Sequence, residues 1–240
     1  MRANVEIEDL APGGEGVGHH GARAVFVPFA APGDVAEVDL PGGEGPAHAT
    51  LVRVVSAGAA RAAAPCAHFG LGDACGGCEW QHVAYDRQLA AKERTLLETL
   101  RKVGRIEPAE GVVRPIVPSP APFRYRSRAK FHFDRDAGRL VFFRRRSHQP
   151  VLLRECHLLV PELDALREAM GPALGRARLS PREVSLEWSA REGRGSAYLV
   201  LAEVTPALRA RAEALVADVA SLSGAVVWTS RRSPSAEAEA

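Results

Sequence analysis

Apolar residues in the first quarter of the chain fall in short runs broken by Gly and Pro. Candidate strands are Val5–Leu10, Ala24–Pro28, Val35–Leu40 and Thr50–Ser56, joined by the turns APGGEGVGHHG, APGD and PGGEGPAH. Short strands at roughly ten-residue spacing predict a small β-barrel or sandwich. The Ala-rich stretch Ala57–Pro65 reads as a linker. The period then changes. Tyr85, Leu89, Leu96, Leu97, Leu100 and Val103 form an apolar stripe, so an amphipathic helix is expected over about Val83–Val103, with Gly104 as its C-cap.

Strand-like runs return beyond residue 112. Arg124–Asp134, Leu140–Arg145 and Val151–Arg154 surround a DRDAGR turn and carry a hairpin signal. A helix is expected after Pro161, with Leu163, Leu166 and Met170 along it, then strands at Val184–Trp188 and Ala197–Glu203. Thr205-Pro206 is an N-cap and first-turn pair opening a helix with Leu208, Leu215 and Val219 inward. A strand at Ala225–Trp228 follows, and the polar tail SRRSPSAEAEA predicts disorder. The expected division is a barrel over 1–58, a cysteine loop and helix over 59–108, an α+β domain over 109–229, and a disordered tail over 230–240.

A composition of 46% hydrophobic and 25% charged residues is that of an ordinary globular chain. The net charge of +2 hides a strong asymmetry. Residues 1–60 hold three bases and eight acids, whereas residues 123–154 hold ten bases and only Asp134 and Asp136 as acids. A basic middle segment is the footprint that polyanions favour. There is no basic-then-apolar leader and no apolar run of spanning length, so a cytoplasmic chain without a membrane partner is expected.

In that compartment disulfides are rare, and clustered cysteines point to metal or redox chemistry. Cys75-Gly-Gly-Cys78 places two thiolates within reach of one metal, Cys66 lies nine positions earlier, and Cys156 is remote. Four thiolates suit a [4Fe–4S] cluster or a tetrahedral zinc. A dithiol redox pair and four buried thiols are the other readings. His68, Phe69, Trp80, Gln81 and His82 crowd this loop and are expected to pack around the metal group and exclude water.

Two further patterns carry different weight. Gly16-Val-Gly18-His-His-Gly21 matches GxGxxG, but a strand with Pro28 follows instead of a helix, so it reads as a glycine-rich hairpin turn. Arg124, Arg126, Arg128 and Lys130 alternate, which on one strand would project four cations from one face. Arg144, Arg145 and Arg146 add to the excess. The functional reading is a phosphate-tracking groove, with Phe123, Tyr125 or His132 available to stack bases; a solvated charged face is the plain alternative.

The run CAHFG…CGGCEWQHVAYDRQLAAK, followed by a helix, resembles the RNA (uracil-C5) methyltransferases that carry an N-terminal TRAM domain and a [4Fe–4S] cluster. IEDLAPGGEGVGHHGARAVFVPFAAPGDVAEV is similar to the TRAM barrel, an OB-like module. FRYRSRAKFHF is similar to the start of the family's central domain, and FRRRSHQPVLLRECHLLVPEL to the segment with its fourth cluster cysteine. The resemblance runs over residues 1–228. It implies that Cys66, Cys75, Cys78 and Cys156 hold a [4Fe–4S] cluster. It also implies an rRNA or tRNA partner and S-adenosylmethionine as methyl donor. In the implied chemistry a cysteine adds to C6 of an extruded uridine, C5 takes the methyl group, and a base removes the proton.

The chain departs from the family in several places. The gap after Cys66 is longer than the family's, with Gly72-Asp73-Ala74 as the insertion, a change that costs little closure entropy. The TRAM-like part is acidic, which shifts the expected RNA contact to Arg124, Arg126, Arg128, Lys130, Arg144, Arg145 and Arg146. No strand, glycine-rich turn and helix suited to the cofactor is found, no DPPR-like segment, and no cysteine beyond the four. The expected fold class is therefore α+β: a small OB-like barrel, a cluster-binding segment and an α+β central domain, with the C-terminal Rossmann-like methyltransferase domain absent. No catalytic or S-adenosylmethionine-binding residue is assigned. The monomeric chain alone, whether truncation, frameshift or short form, is expected to be inactive unless a separate methyltransferase chain supplies the missing part. A stand-alone RNA-binding protein with a structural cluster, or a four-cysteine zinc protein, are the alternatives.

Overall fold

The computed structural model describes residues 1–72 and 74–229. The tail read as disordered, 230–240, and Asp73 of the expected insertion lie outside the described residues. The chain divides into two compact units, Met1–Pro122 and a second from Phe123 onward.

The N-terminal unit holds β1 (Arg2–Leu10), β2 (Gly16–His20), β3 (Arg23–Val27), β4 (Val35–Asp39), β5 (Ala47–His48) and β6 (Thr50–Ser56), in the sheet order β5-β3-β2-β1-β4-β6. The two-residue period drives the burial: Val5 and Ile7 of β1 face the core, and Glu6 and Glu8 face out. The two edge strands, β5 and β6, are separated in the chain by Ala49 alone. Ala47, Ala49 and Leu51 join the same core as Val5, Val25 and Val38, so the sheet curls on itself into a barrel.

The GVGHHG segment, read from sequence as a turn, is mostly strand. Gly16–His20 pairs with both β1 and β3, and the reversal falls at Gly21 (φ +61°) and Ala22. Gly18 is needed for close approach rather than for turning. A Cβ there would overlap the Glu6 carbonyl oxygen and come 2.7 Å from Val5 Cγ1.

The stretch read as a linker is tied to the barrel. Asp34, fully buried, accepts the Ala31 amide at 2.6 Å, the Gly58 amide at 2.9 Å and Arg61 Nη2 at 2.6 Å. Arg61 Nη2 also donates to the Phe29 carbonyl at 2.8 Å. Burial by itself would raise the Asp34 pKa, but Arg61 and the two amides outweigh it and hold the carboxyl below its ordinary range. Beyond this latch, Ala62 donates to the His82 carbonyl at 2.8 Å and Ala84 to that of Ala60 at 2.8 Å, so both ends of the cysteine segment run side by side.

Helix α1 spans Tyr85–Lys102. Its expected apolar stripe is not a buried face. Ala91 is its buried residue, whereas Leu96 is 49% exposed, and Val103 just beyond the helix is 78% exposed.

The C-terminal unit holds β7 (Arg128–Asp134), β8 (Arg139–Phe143), β9 (Pro150–Val151), α2 (Pro161–Arg176), β10 (Glu183–Ser189), β11 (Arg194–Leu201), α3 (Pro206–Asp218) and β12 (Leu222–Thr229). The sheet order is β12-β11-β10-β7-β8-β9, antiparallel throughout except for the β11–β12 pair, which α3 connects. Phe131, Leu186 and Leu199 of the sheet share one core with Leu163, Leu166 and Met170 of α2 and Leu215 of α3. Thr205 caps α3, accepting the Leu208 amide at 3.2 Å.

Two strands are shorter than expected. β7 begins at Arg128: Arg124 adopts a left-handed φ of +57°, and Arg126 bonds through its backbone with Leu158 and Val160. β9 stops at Val151. Past it, the carbonyls of Leu153 and Arg154 turn towards Arg167, at 3.5 and 3.4 Å, instead of joining the sheet.

Candidate cysteine centre and nucleic-acid interface

Cys66, Cys75 and Cys78 lie in the N-terminal unit, on a loop with its own hydrogen bonding. The Cys66 amide donates to Gln81 Oε1 at 3.3 Å, the Phe69 amide to the Cys66 carbonyl at 3.1 Å, and the Cys75 amide to the His68 carbonyl at 2.8 Å. The Gly77 amide donates to Cys75 Sγ at 3.4 Å.

The loop is anchored by aromatic packing. Phe69 stacks on His82 with ring centres 5.6 Å apart, and meets Phe29 edge-on at 5.2 Å. His82 is buried, and burial pushes its pKa down to about 4, so it is neutral at pH 7. Trp80 lies under Lys92 Nζ, 6.0 Å from the ring centre. Phe69 and His82 thus pack on each other and on Phe29 of the barrel.

Cys156 lies in the C-terminal unit, in a loop held by residues that sequence reasoning did not single out. Asp164 Oδ2 accepts the Cys156 amide at 3.0 Å, and Asp164 Oδ1 accepts Arg167 Nε at 2.7 Å. Arg167 is almost fully buried, and one end of its guanidinium approaches the backbone just before Cys156. The available signal was an Asp and an Arg three apart on a helix whose neighbours Leu163, Leu166 and Met170 are core residues. Such a spacing puts both on the inward side, where a buried pair must serve something.

Arg124 belongs to this loop too. Its Nη1 donates to the Cys156 carbonyl at 3.1 Å and its Nη2 to Glu155 Oε2 at 2.9 Å. The Arg124 hydrogen bond, and then that from His157, hold the Glu155 carboxyl below its ordinary range. Four cysteine thiols are the donor set that either a cluster or zinc accepts. Among the described residues, no group of three or more His, Cys, Asp or Glu side chains is gathered closely enough to hold a metal ion.

The expected RNA-binding residues fall into three places. Arg124 sits beside Cys156. Arg126, Arg128 and Lys130 line one groove of about 660 Å³ on the sheet face opposite α2 and α3, together with Ser185, Glu187, Tyr198 and Trp228. Lys130 Nζ is paired with Glu183 at 2.9 Å. Arg144, Arg145 and Arg146 follow β8, which runs antiparallel to β7, so they lie towards the end of the sheet where β7 begins. Of the candidate stacking rings, Tyr125 is 56% exposed, His132 already stacks on Phe143 at 4.1 Å, and Phe123 meets His157 edge-on at 6.3 Å. Tyr198 and Trp228 were missed: they lie more than sixty residues beyond Lys130, and only strand pairing unites them with it.

Residues 2–40 match the TRAM domain family. An uncharacterized RNA methyltransferase of Thermosynechococcus vestitus is 36% identical over 173 residues, covering 71% of this chain and 37% of the relative. The chain carries a TRAM domain and is homologous to RNA methyltransferases. A 23S rRNA (uracil(1939)-C(5))-methyltransferase of Alkalilimnicola ehrlichii is 33% identical over 189 residues, covering 76% of this chain and 41% of the relative. The chain thus spans roughly two fifths of the length of these relatives. The Pyrococcus abyssi tRNA (uracil-54, C5)-methyltransferase, solved with S-adenosyl-L-homocysteine, shares the fold with a TM-score of 0.60 at 22% identity, over 87% of this chain and 48% of that one.

The fold match corrects the expectation that the Rossmann-like methyltransferase domain is absent, leaving only a barrel with a separate RNA-binding module. Over 87% of the chain, the fold is shared with that of a methyltransferase. A glycine-rich cofactor turn is a local motif, whereas a fold is defined by strand order and packing, which need no such motif. Among the described residues, no helix is long and apolar enough to cross a membrane.

Proposed function

We propose that this TRAM-domain chain serves the S-adenosylmethionine-dependent methylation of uridine at C5 in a structured RNA. On this reading RNA lies along the open sheet face, and Cys66, Cys75, Cys78 and Cys156 bind a [4Fe–4S] cluster. The observation that carries the reading is the groove in which Arg126, Arg128 and Lys130 come together. It supplies three cations on the sheet face opposite α2 and α3, the arrangement that tracks a phosphate backbone. Relatives named for 23S rRNA and tRNA uracil-C5 methylation support the chemical class, since both act on the same atom of the same base.

The cluster reading is supported by the donor set and by the Gly77 N–H directed at Cys75 Sγ. When bound, the cluster would supply a rigid tie for the thiolates that hold it. Asp164, Arg167 and Arg124 fix the backbone around Cys156 and so act as positioning residues.

Purification under anaerobic conditions tests the cluster. The expected result is a brown protein with broad absorbance near ~400 nm and iron and sulfide in equal amounts, lost in Cys78→Ser and Cys156→Ser. A colourless protein carrying stoichiometric zinc would replace this reading with the zinc one. RNA binding is tested by titrating the chain with labelled RNA over a range of salt concentrations. Affinity that falls with salt is expected, and absence of binding at low salt refutes the RNA reading.

A further inference from the structure

We infer that Tyr198 and Trp228 form a base-stacking platform that makes the open sheet face selective for an unpaired stretch of RNA. The inference rests on the RNA reading above and narrows it to single strands. Tyr198 and Trp228 stand on β11 and β12 with ring centres 6.1 Å apart, and Trp228 is 41% exposed. Large aromatic rings on the uncovered face of a sheet have no core to join, so their placement there calls for an occupant.

The strand register sets them against the cations. Lys130 lies opposite Ser185, and Ser185 opposite Tyr198, so Lys130 and Tyr198 share one row across the sheet. Two strand spacings, about 10 Å, separate them. Arg128 is opposite Glu187 in the neighbouring row, and Arg126 extends the cationic edge of the same groove. One edge of the groove therefore meets phosphate while the other meets the flat faces of bases.

Charge alone does not choose between a single strand and a duplex. Glu183 neutralises Lys130, and Glu187 lies opposite Arg128. Phosphate contacts from Arg126, Arg128 and Lys130 would serve a duplex as well as a single strand. Stacking on an aromatic ring contributes about 1–3 kcal/mol per base and is indifferent to sequence. In a helix the base faces are covered by their neighbours and cannot reach a ring, so only an unpaired segment gains this term. Glu187 then has a role that bare phosphate tracking denies it, as an acceptor for ribose hydroxyl or base amino groups.

The test uses the full chain with a fluorescein-labelled 12-nucleotide single-stranded RNA and the matching duplex, read by anisotropy at several salt concentrations. The single strand is expected to bind more tightly than the duplex. Tyr198→Ala and Trp228→Leu should each weaken single-strand binding about tenfold, leave duplex binding and the salt slope unchanged, and Tyr198→Phe should retain affinity. Quenching of tryptophan fluorescence by RNA, present in the parent and lost in Trp228→Phe, gives a readout independent of the disruptive variants. RNA bound equally well by these variants, without Trp228 quenching, overturns the platform and leaves the RNA reading intact. Preference for the duplex does the same in favour of phosphate tracking. No binding to either RNA removes both readings.

Discussion

Both units are built on a six-stranded sheet, and they use its two faces in opposite ways. In the N-terminal unit the edges β5 and β6 are one residue apart in the chain, so the sheet closes around Val5, Ile7, Val25 and Val38 and leaves an outer surface rich in Glu and Asp. In the C-terminal unit two helices cover one face and the other stays open, with Arg126, Arg128, Lys130, Tyr198 and Trp228 along it. Strand number therefore says little about binding. What decides it is whether a face remains uncovered and which side chains the strand register collects there.

The comparison can be broken first at the latch that completes the barrel. Arg61→Ala leaves the buried Asp34 carboxylate without its guanidinium, and removing one member of such a pair costs about 3–5 kcal/mol. Hydrogen exchange should accelerate in β1–β6 and not in β10–β12; equal acceleration in both would show that the units do not fold separately. Asp34 itself sets an acid limit. Its carboxyl is depressed in the folded state, so its contribution is present above the ordinary carboxylate range and is lost as pH falls below about 4.

A slightly smaller effect is expected from His82. Its folded pKa of about 4 lies below the ordinary value of about 6.5, so protons favour the unfolded chain between those limits. The N-terminal unit should lose about 3 kcal/mol as pH falls from 7 to 4. His82→Phe should flatten that dependence in denaturant titrations, and an unchanged pH profile would remove His82 from the account.

The cationic edge gives the next test. Replacing Arg126, Arg128 and Lys130 together by Ala should lower the salt slope of single-strand binding by about 2. Arg124→Ala should leave that slope alone and instead lower the iron content, because Arg124 holds the Cys156 loop. If Arg124→Ala changes the slope as much as Arg128→Ala, the separation of the two roles fails. The smallest effect belongs to a cap. Thr205→Ala removes the side-chain acceptor at the start of α3 and should cost about 1 kcal/mol by thermal unfolding.

The legible parts of the chain share a feature: their information is local. The barrel strands β1, β3, β4 and β6, helix α1, the hairpin β7–β8 and the Thr205 cap follow from residue periods and turn chemistry within a dozen positions. Where a distant group competes, the reading fails. Arg124 was placed on the strand by alternation, but hydrogen bonds to Cys156 and Glu155 hold it off the sheet at φ +57°. The α1 stripe has helical spacing, yet nothing in the local pattern says whether a partner covers it. β5, two residues long, is too short to carry a period at all.

The sequence by itself determined four of the six barrel strands, the four cysteines as candidate donors, the acidic and basic segments and the resemblance to RNA methyltransferases. Only the tertiary structure decided that the basic segment divides between a cysteine loop and a groove, and that Tyr198 and Trp228 complete that groove. It also decided that a buried Asp164–Arg167 pair, inside what sequence reads as an ordinary amphipathic helix, positions Cys156. The physical reason is range. Backbone periods and caps act over one or two turns, whereas strand order, register and the pairing of buried charges join residues that the chain keeps apart.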